Sequence, residues 1–146
     1  MIEGGIYPFL IPFARTVAGF CVGVMLGICG GWLAITFNYM VGFPWSLEVH
    51  RNIYIFGIGM GGGIGAYFGW MSLSVNLYLI VGTIMLVLAG GVIGAYLGLE
   101  YGEVVDPNYL GRRYTIDNMM HWGAAIGGIT VATALGLYNE VKNMGR

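Results

Sequence analysis

Glycine recurs at every fourth position within three long apolar segments of this chain. Helix residues four apart lie on nearly the same face. Little hydrophobic force acts between helices inside a membrane, and glycine lets two helix backbones approach closely. The pattern therefore predicts helices packed through glycine zippers. The predicted packing positions are Gly19, Gly23, Gly27 and Gly31; Gly57, Gly61, Gly65 and Gly69; Gly90, Gly94, Gly98 and Gly102; and, in a shorter fourth series, Gly123 and Gly127.

The composition places these helices in a membrane. Of 146 residues, 58% are apolar and only 9% are charged, whereas soluble domains carry about 25% charge. A chain this short cannot bury so much apolar surface in one core of its own. A net charge of -1 without a basic cluster excludes a binder of nucleic-acid phosphates. We therefore expect an integral membrane protein and not an enzyme.

The apolar segments predict an all-α fold of four transmembrane helices in one membrane domain, residues 1–146. The second and third helices are expected to form an antiparallel hairpin. Residues 100–118 are rich in charge of both signs, and we expect a polar loop there. The predicted spans are residues 13–39, 53–71, 77–99 and 121–138.

The second and third segments contain a local repeat. Residues 61–69 and 90–98 are identical at seven of nine positions. Because consecutive helices run in opposite directions, the repeat is compatible with an inverted pseudo-twofold, as found in transporters. It is also expected if both helices simply need the same glycine groove, and this is the interpretation that we favour. The sequence leaves both interpretations open.

The two histidines, His50 and His121, each open a predicted helix on the same side of the membrane. Two imidazoles at similar depth can ligate a haem or a metal. Histidine also occurs at membrane interfaces without a ligand, and no Cys motif or carboxylate cluster accompanies this pair. We favour the interface interpretation, so bound lipid is expected but no metal or cofactor. No ionisable residue is predicted near the middle of a span.

Gly98 and Tyr101 are followed by an Arg-x-x-x-Asp pair, Arg113 and Asp117, and then by Gly123. With four spans and this length, the chain resembles the mitochondrial family of inner-membrane protein-import channel subunits and preprotein and amino-acid transporters. That family includes a four-helix accessory subunit of respiratory complex I. Its motif lies between the second and third helices, whereas here it precedes the fourth. The resemblance implies that Arg113 and Asp117 form a structural ion pair.

Three functions follow as hypotheses. The favoured one is a noncatalytic accessory subunit of a larger respiratory, photosynthetic or translocation complex, in an energy-transducing inner membrane of mitochondria or bacteria. Its partners would be other membrane subunits and lipids, and not nucleic acid. The alternative is a homo-oligomeric channel or small-solute transporter formed by self-association. A haem- or quinone-binding redox subunit, based on His50 and His121, is the least favoured.

Overall fold

The computed structural model is an all-α bundle of four helices. It describes residues 7–41, 46–70, 77–105 and 112–144; the side chains of residues 7–9, 47, 112–117 and 143–144 lie outside this description. Consecutive helices are antiparallel, as predicted. The helices are α1 (Tyr7–Val41), α2 (Leu47–Trp70), α3 (Leu77–Val105) and α4 (Arg112–Met144).

Among the described residues, three helices are long and apolar enough to span a membrane, which indicates an integral membrane protein. These segments are Leu10–Val41, Leu77–Val105 and Asn118–Lys142. Helix α2 does not meet this criterion, because seven of its 24 residues are glycines, which contribute helix length but no apolar side chain, and because its first turns contain Glu48, His50, Arg51 and Asn52. It also contacts each of the other three helices. Much of its surface is therefore covered by protein, and it needs fewer lipophilic side chains than its neighbours.

The helices pack in a four-cornered arrangement in which α2 and α4 occupy the short diagonal. Among the described residues, α2 and α4 each contact all other helices, whereas α1 and α3 do not touch each other. Helix α1 packs mainly against α2, and α3 packs mainly against α4. The predicted antiparallel neighbours α2 and α3 are in contact, but through a smaller interface than either of these pairs. Fully buried side chains such as Ile55, Ile58 and Val87 fill the centre.

The polar loop predicted over residues 100–118 is wrong for most of its length. Helix α3 continues to Val105 and α4 begins at Arg112, so only residues 106–111 fall between the helices. The contact between the two helices explains this extension. Gly98 faces the backbone of Met119, and Gly102, one turn further along, is still buried. Packing against a neighbour stabilises a helix beyond its apolar segment.

Ser46 caps the start of α2. The Val49 amide N–H donates to the Ser46 carbonyl oxygen at 3.0 Å and also lies 3.4 Å from its side-chain Oγ. Such a cap satisfies backbone N–H groups that have no partner within the first turn. Glu48 adds a negative charge in that turn, where the positive end of the helix dipole favours it.

We expect Ser46→Ala to lower the free energy of unfolding by about 1 kcal/mol, because the cap is lost. Ser46→Asp is the matched control, since a carboxylate also caps a helix and should keep the wild-type value. Unfolding in detergent micelles, followed by far-UV circular dichroism, measures the difference. Equal stability of Ser46→Ala and the wild type would contradict the capping role.

Candidate functional site

The predicted glycines of α2 lie directly against the backbone of α1. A Cβ added to Gly65 would lie 2.5 Å from the Gly23 Cα, and one on Gly69 would lie 2.5 Å from the Gly19 Cα. Real Cβ atoms essentially never approach another atom within 3.0 Å. The two backbones are therefore in contact without an intervening side chain. The four facing pairs are Gly57 with Gly30, Gly61 with Leu26, Gly65 with Gly23, and Gly69 with Gly19.

Helix α3 meets α4 in the same way. The pairs are Gly90 with Gly127, Gly94 with Gly123, and Gly98 with Met119. These three α3 positions correspond in the repeat to 61, 65 and 69 of α2, which face α1. The repeated segments therefore build two equivalent helix pairs, α1–α2 and α4–α3. The equivalence is incomplete, because α2 contacts α4 whereas, among the described residues, α1 and α3 make no matching contact.

The glycine series of α1 packs into the crevice between α2 and α4. A Cβ on Gly23 would lie 3.1 Å from the Gly62 carbonyl oxygen of α2 and 3.4 Å from the Ala125 Cβ of α4. Residues spaced by four rotate about 40° per step around a helix with 3.6 residues per turn. By Gly31 the series has turned away from the pairing face, and Gly30 takes the place opposite Gly57. The strict four-residue pattern therefore missed Gly30.

Three further glycines of α2 face helices other than α1. Gly59 would place a Cβ 2.5 Å from the Val92 Cα of α3, and Gly63 would place one 2.9 Å from the Leu88 Cα. Gly62 faces Ala124 of α4. The predicted series did not include these positions. The run of three consecutive glycines at 61–63 was the available signal, since neighbouring residues on a helix point to different sides.

Polar side chains join three helices at one end of the bundle. The Thr16 hydroxyl donates to the Pro12 carbonyl oxygen at 2.9 Å. Its oxygen accepts the Trp70 indole N–H at 3.3 Å and lies 3.2 Å from the Thr133 hydroxyl. Because the Thr16 proton is directed to Pro12, Thr133 is the donor in this last contact. The bonds connect α1, α2 and α4.

An ion pair extends this cluster toward the exterior. Arg15 and Glu140 approach to 3.2 Å, with side chains 46% and 35% exposed. The Arg15 guanidinium carbon also lies 5.8 Å from the centre of the Trp70 ring. At such exposure an ion pair contributes about 0.2–1 kcal/mol, and the cation–π contact about 0.5–1 kcal/mol. We call Arg15, Thr16, Trp70, Thr133 and Glu140 the polar cluster.

His121 lies deeper in the bundle than the sequence suggested. Cβ atoms on Gly27 and Gly31 would lie 3.6 Å from its Nδ1 and Cε1 atoms, and the same Gly27 position is 3.5 Å from the Ile58 carbonyl oxygen. Ile58 lies at the middle of α2. His50 precedes Ile58 by eight residues, which places it about 12 Å closer to the N-terminal end of α2 at 1.5 Å per residue. The prediction of two histidines at similar depth is therefore wrong. An ionisable side chain does reach the middle of the first predicted span.

The structure assigns no metal site within the part of the chain that it describes. No group of three or more His, Cys, Asp or Glu side chains comes together among those residues. Cys21 and Cys29 are both exposed on α1. The side chains of Arg113 and Asp117 lie outside the described residues, so their ion pair stays a prediction.

Comparison of the chain with protein-family models, with curated proteins and with solved structures finds no match. The resemblance to the mitochondrial import and transporter family therefore stays a prediction.

We expect Gly65→Ala to destabilise the fold by about 1–3 kcal/mol, because its Cβ meets the Gly23 backbone and the helices must move apart. Gly82→Ala is the matched control: Gly82 lies in α3 and has nothing within 4 Å of an added Cβ. The control should be unchanged or slightly more stable, since alanine is the better helix former. Thermal unfolding in detergent measures both. Equal loss in the two variants would contradict the close packing.

Proposed function

We propose that this chain is a noncatalytic structural subunit of a larger membrane protein complex. The observation that carries the proposal is the direct contact between helix backbones through the middle of the bundle. Together with the fully buried side chains at its centre, this contact fills the interior. The outer surface is then the part of the molecule available for interaction.

That outer surface is apolar and rich in large side chains. Helices α1 and α3 occupy the far corners of the bundle and carry most of them, including Phe13, Trp32 and Tyr78 at 67%, 68% and 89% exposure. Such surfaces suit both lipid and the helices of other subunits, where association depends on close packing. Continuous contact with neighbouring subunits would cover these side chains and fix the bundle in the assembly.

One end of α1 extends beyond the described end of α2, Trp70. A Cβ on Gly69, near the end of α2, would lie 2.6 Å from the Arg15 carbonyl oxygen. Residues 7–14 therefore extend about 12 Å further, at 1.5 Å per residue. Leu10, Ile11 and Phe13 are exposed on this projection, and we assign them a role in contacting apolar helices of neighbouring subunits.

The proposal includes four membrane spans and an energy-transducing inner membrane, mitochondrial or bacterial. Helix α2 packs along α1 from Gly57 to Gly69. Because α1 is itself long and apolar enough to cross the bilayer, α2 then lies at the same membrane depth. Both termini would lie on one side. The choice of membrane depends on the family resemblance.

Labelling of introduced cysteines tests the number of spans. We expect Ser46→Cys and Lys142→Cys to react with a membrane-impermeant maleimide from opposite sides of sealed vesicles, because three spans, α2, α3 and α4, lie between them. Cys21→Ser and Cys29→Ser supply the thiol-free background, which is the unlabelled control. If α2 did not cross the membrane, both positions would react from the same side.

Gentle extraction tests the role in a complex. A tagged chain is solubilised from native membranes in a mild detergent, separated by native electrophoresis and analysed by mass spectrometry. We expect a large band that contains unrelated membrane subunits, and the untagged strain is the control. A small band of this chain alone would contradict the proposal. It would favour the homo-oligomeric pore, for which solute flux into liposomes is the assay.

A further inference from the structure

The contact between α1 and α4 differs from the backbone contacts of the α1–α2 and α3–α4 pairs. It is the smallest of the helix–helix interfaces within the described residues. Here α4 presents side chains to glycines of α1: Ile129 contacts Gly19, and Ala125 contacts Gly23. We call this contact the α1–α4 seam. In the seam, side chains of α4 pack against the backbone of α1. His121 of α4 belongs to the seam and lies level with the middle of α2.

The polar cluster closes the seam at one end. Two direct contacts cross it, between Thr16 and Thr133 and between Arg15 and Glu140. Trp70 supports them from α2 by donating to Thr16. These contacts lie level with the end of α2, where polar groups can exchange a protein partner for water or a lipid headgroup. The cluster can therefore break without burying an unsatisfied polar group.

The α1–α2 interface allows α1 to rotate relative to α2. The predicted glycine series of α2 carries no side chains that project between the helices. Helix α1 can therefore roll on the glycines of α2 if three α2 side chains adjust: Tyr54 and Ile58, which lie next to Gly31, and Trp70, which donates to Thr16. Since α1 contacts only α2 and α4 among the described helices, such a rotation has to separate α1 from α4 and from nothing else.

We propose that the α1–α4 seam opens, and that the polar cluster is the latch that keeps it closed. Opening removes the Gly27 and Gly31 backbone from the His121 ring and exposes the imidazole. Breaking the latch shifts the equilibrium toward the open form and leaves the α1–α2 and α3–α4 glycine contacts in place. The latch is a property of the bundle and does not depend on the proposed role in a complex.

Chemical modification of the native histidines tests the latch. The full chain in detergent is treated with diethyl pyrocarbonate, and mass spectrometry gives the modification rates of His121 and His50. We expect Thr133→Val to raise the His121 rate about threefold or more, since a hydrogen bond between membrane helices changes an equilibrium by about this factor on average. The His50 rate should stay constant, because His50 is not in the seam.

Thr130→Val is the matched control. Thr130 lies on the same helix, but its hydroxyl donates to the Ile126 carbonyl oxygen at 2.7 Å within α4. It should leave the His121 rate at the wild-type value. An equal increase in both threonine variants, or none in Thr133→Val, would overturn the proposal.

A charge exchange tests the latch without changing the seam interior. We expect Arg15→Glu to raise the His121 rate, and Arg15→Glu combined with Glu140→Arg to return it toward the wild-type rate. Far-UV circular dichroism and an unchanged His50 rate identify variants that remain folded. If Thr133→Val does not fold, the Arg15→Glu variant and the Arg15→Glu, Glu140→Arg double variant test the latch in its place. Failure of the double variant to restore protection would also overturn the latch.

Discussion

Direct contact between helix backbones is the constraint on which this structure depends. Helix α2 has neighbours on three sides, and each is so close that a Cβ would collide at the contact. Glycine is required at these contacts because the neighbouring helix of the same chain leaves no room for a side chain. The same requirement contributes to the absence of α2 from the helices that are apolar enough to span a membrane on composition alone, since glycines take the place of apolar side chains where α2 contacts its neighbours.

The tightly packed helix pairs differ from the α1–α4 interface, where we propose that the bundle can open. The α1–α2 and α3–α4 pairs repeat one mode of backbone contact, at equivalent positions of the internal repeat. The symmetry that this suggests is broken at the diagonal, where α2 meets α4 but α1 does not meet α3 within the described residues. As a consequence α1 depends on side-chain contacts for its second interface. The Thr16–Thr133 contact and the Arg15–Glu140 ion pair lie at this interface.

This arrangement also bears on what the protein does. The glycine grooves were expected to serve contact in general, and within this chain they are occupied by its own helices. Partners of the proposed complex would therefore meet large apolar side chains on α1 and α3. A pore formed by several copies would have to lie between chains, because the middle of each bundle is filled.

The number and order of the helices, and the glycines of α2 and α3 that face α1 and α4, were predictable because they depend on local spacing. A long apolar segment predicts a helix. Glycines four residues apart predict which face of that helix packs closely, although they do not identify the helix that it packs against. The helix ends were less predictable: α3 and α4 continue past their apolar segments because they pack on each other around Gly98 and Met119.

The neighbours of each face were beyond the reach of local spacing. Thr16 and Thr133 are 117 residues apart and meet only because α1 lies beside α4. The depth of His121 likewise depends on how α4 sits against α1. Gly30 replaces Gly31 opposite α2 because rotation and crossing of whole helices determine which residue faces the partner. The rotation and the crossing angle of each helix depend on all of its interfaces together, so the sequence of one segment does not determine them.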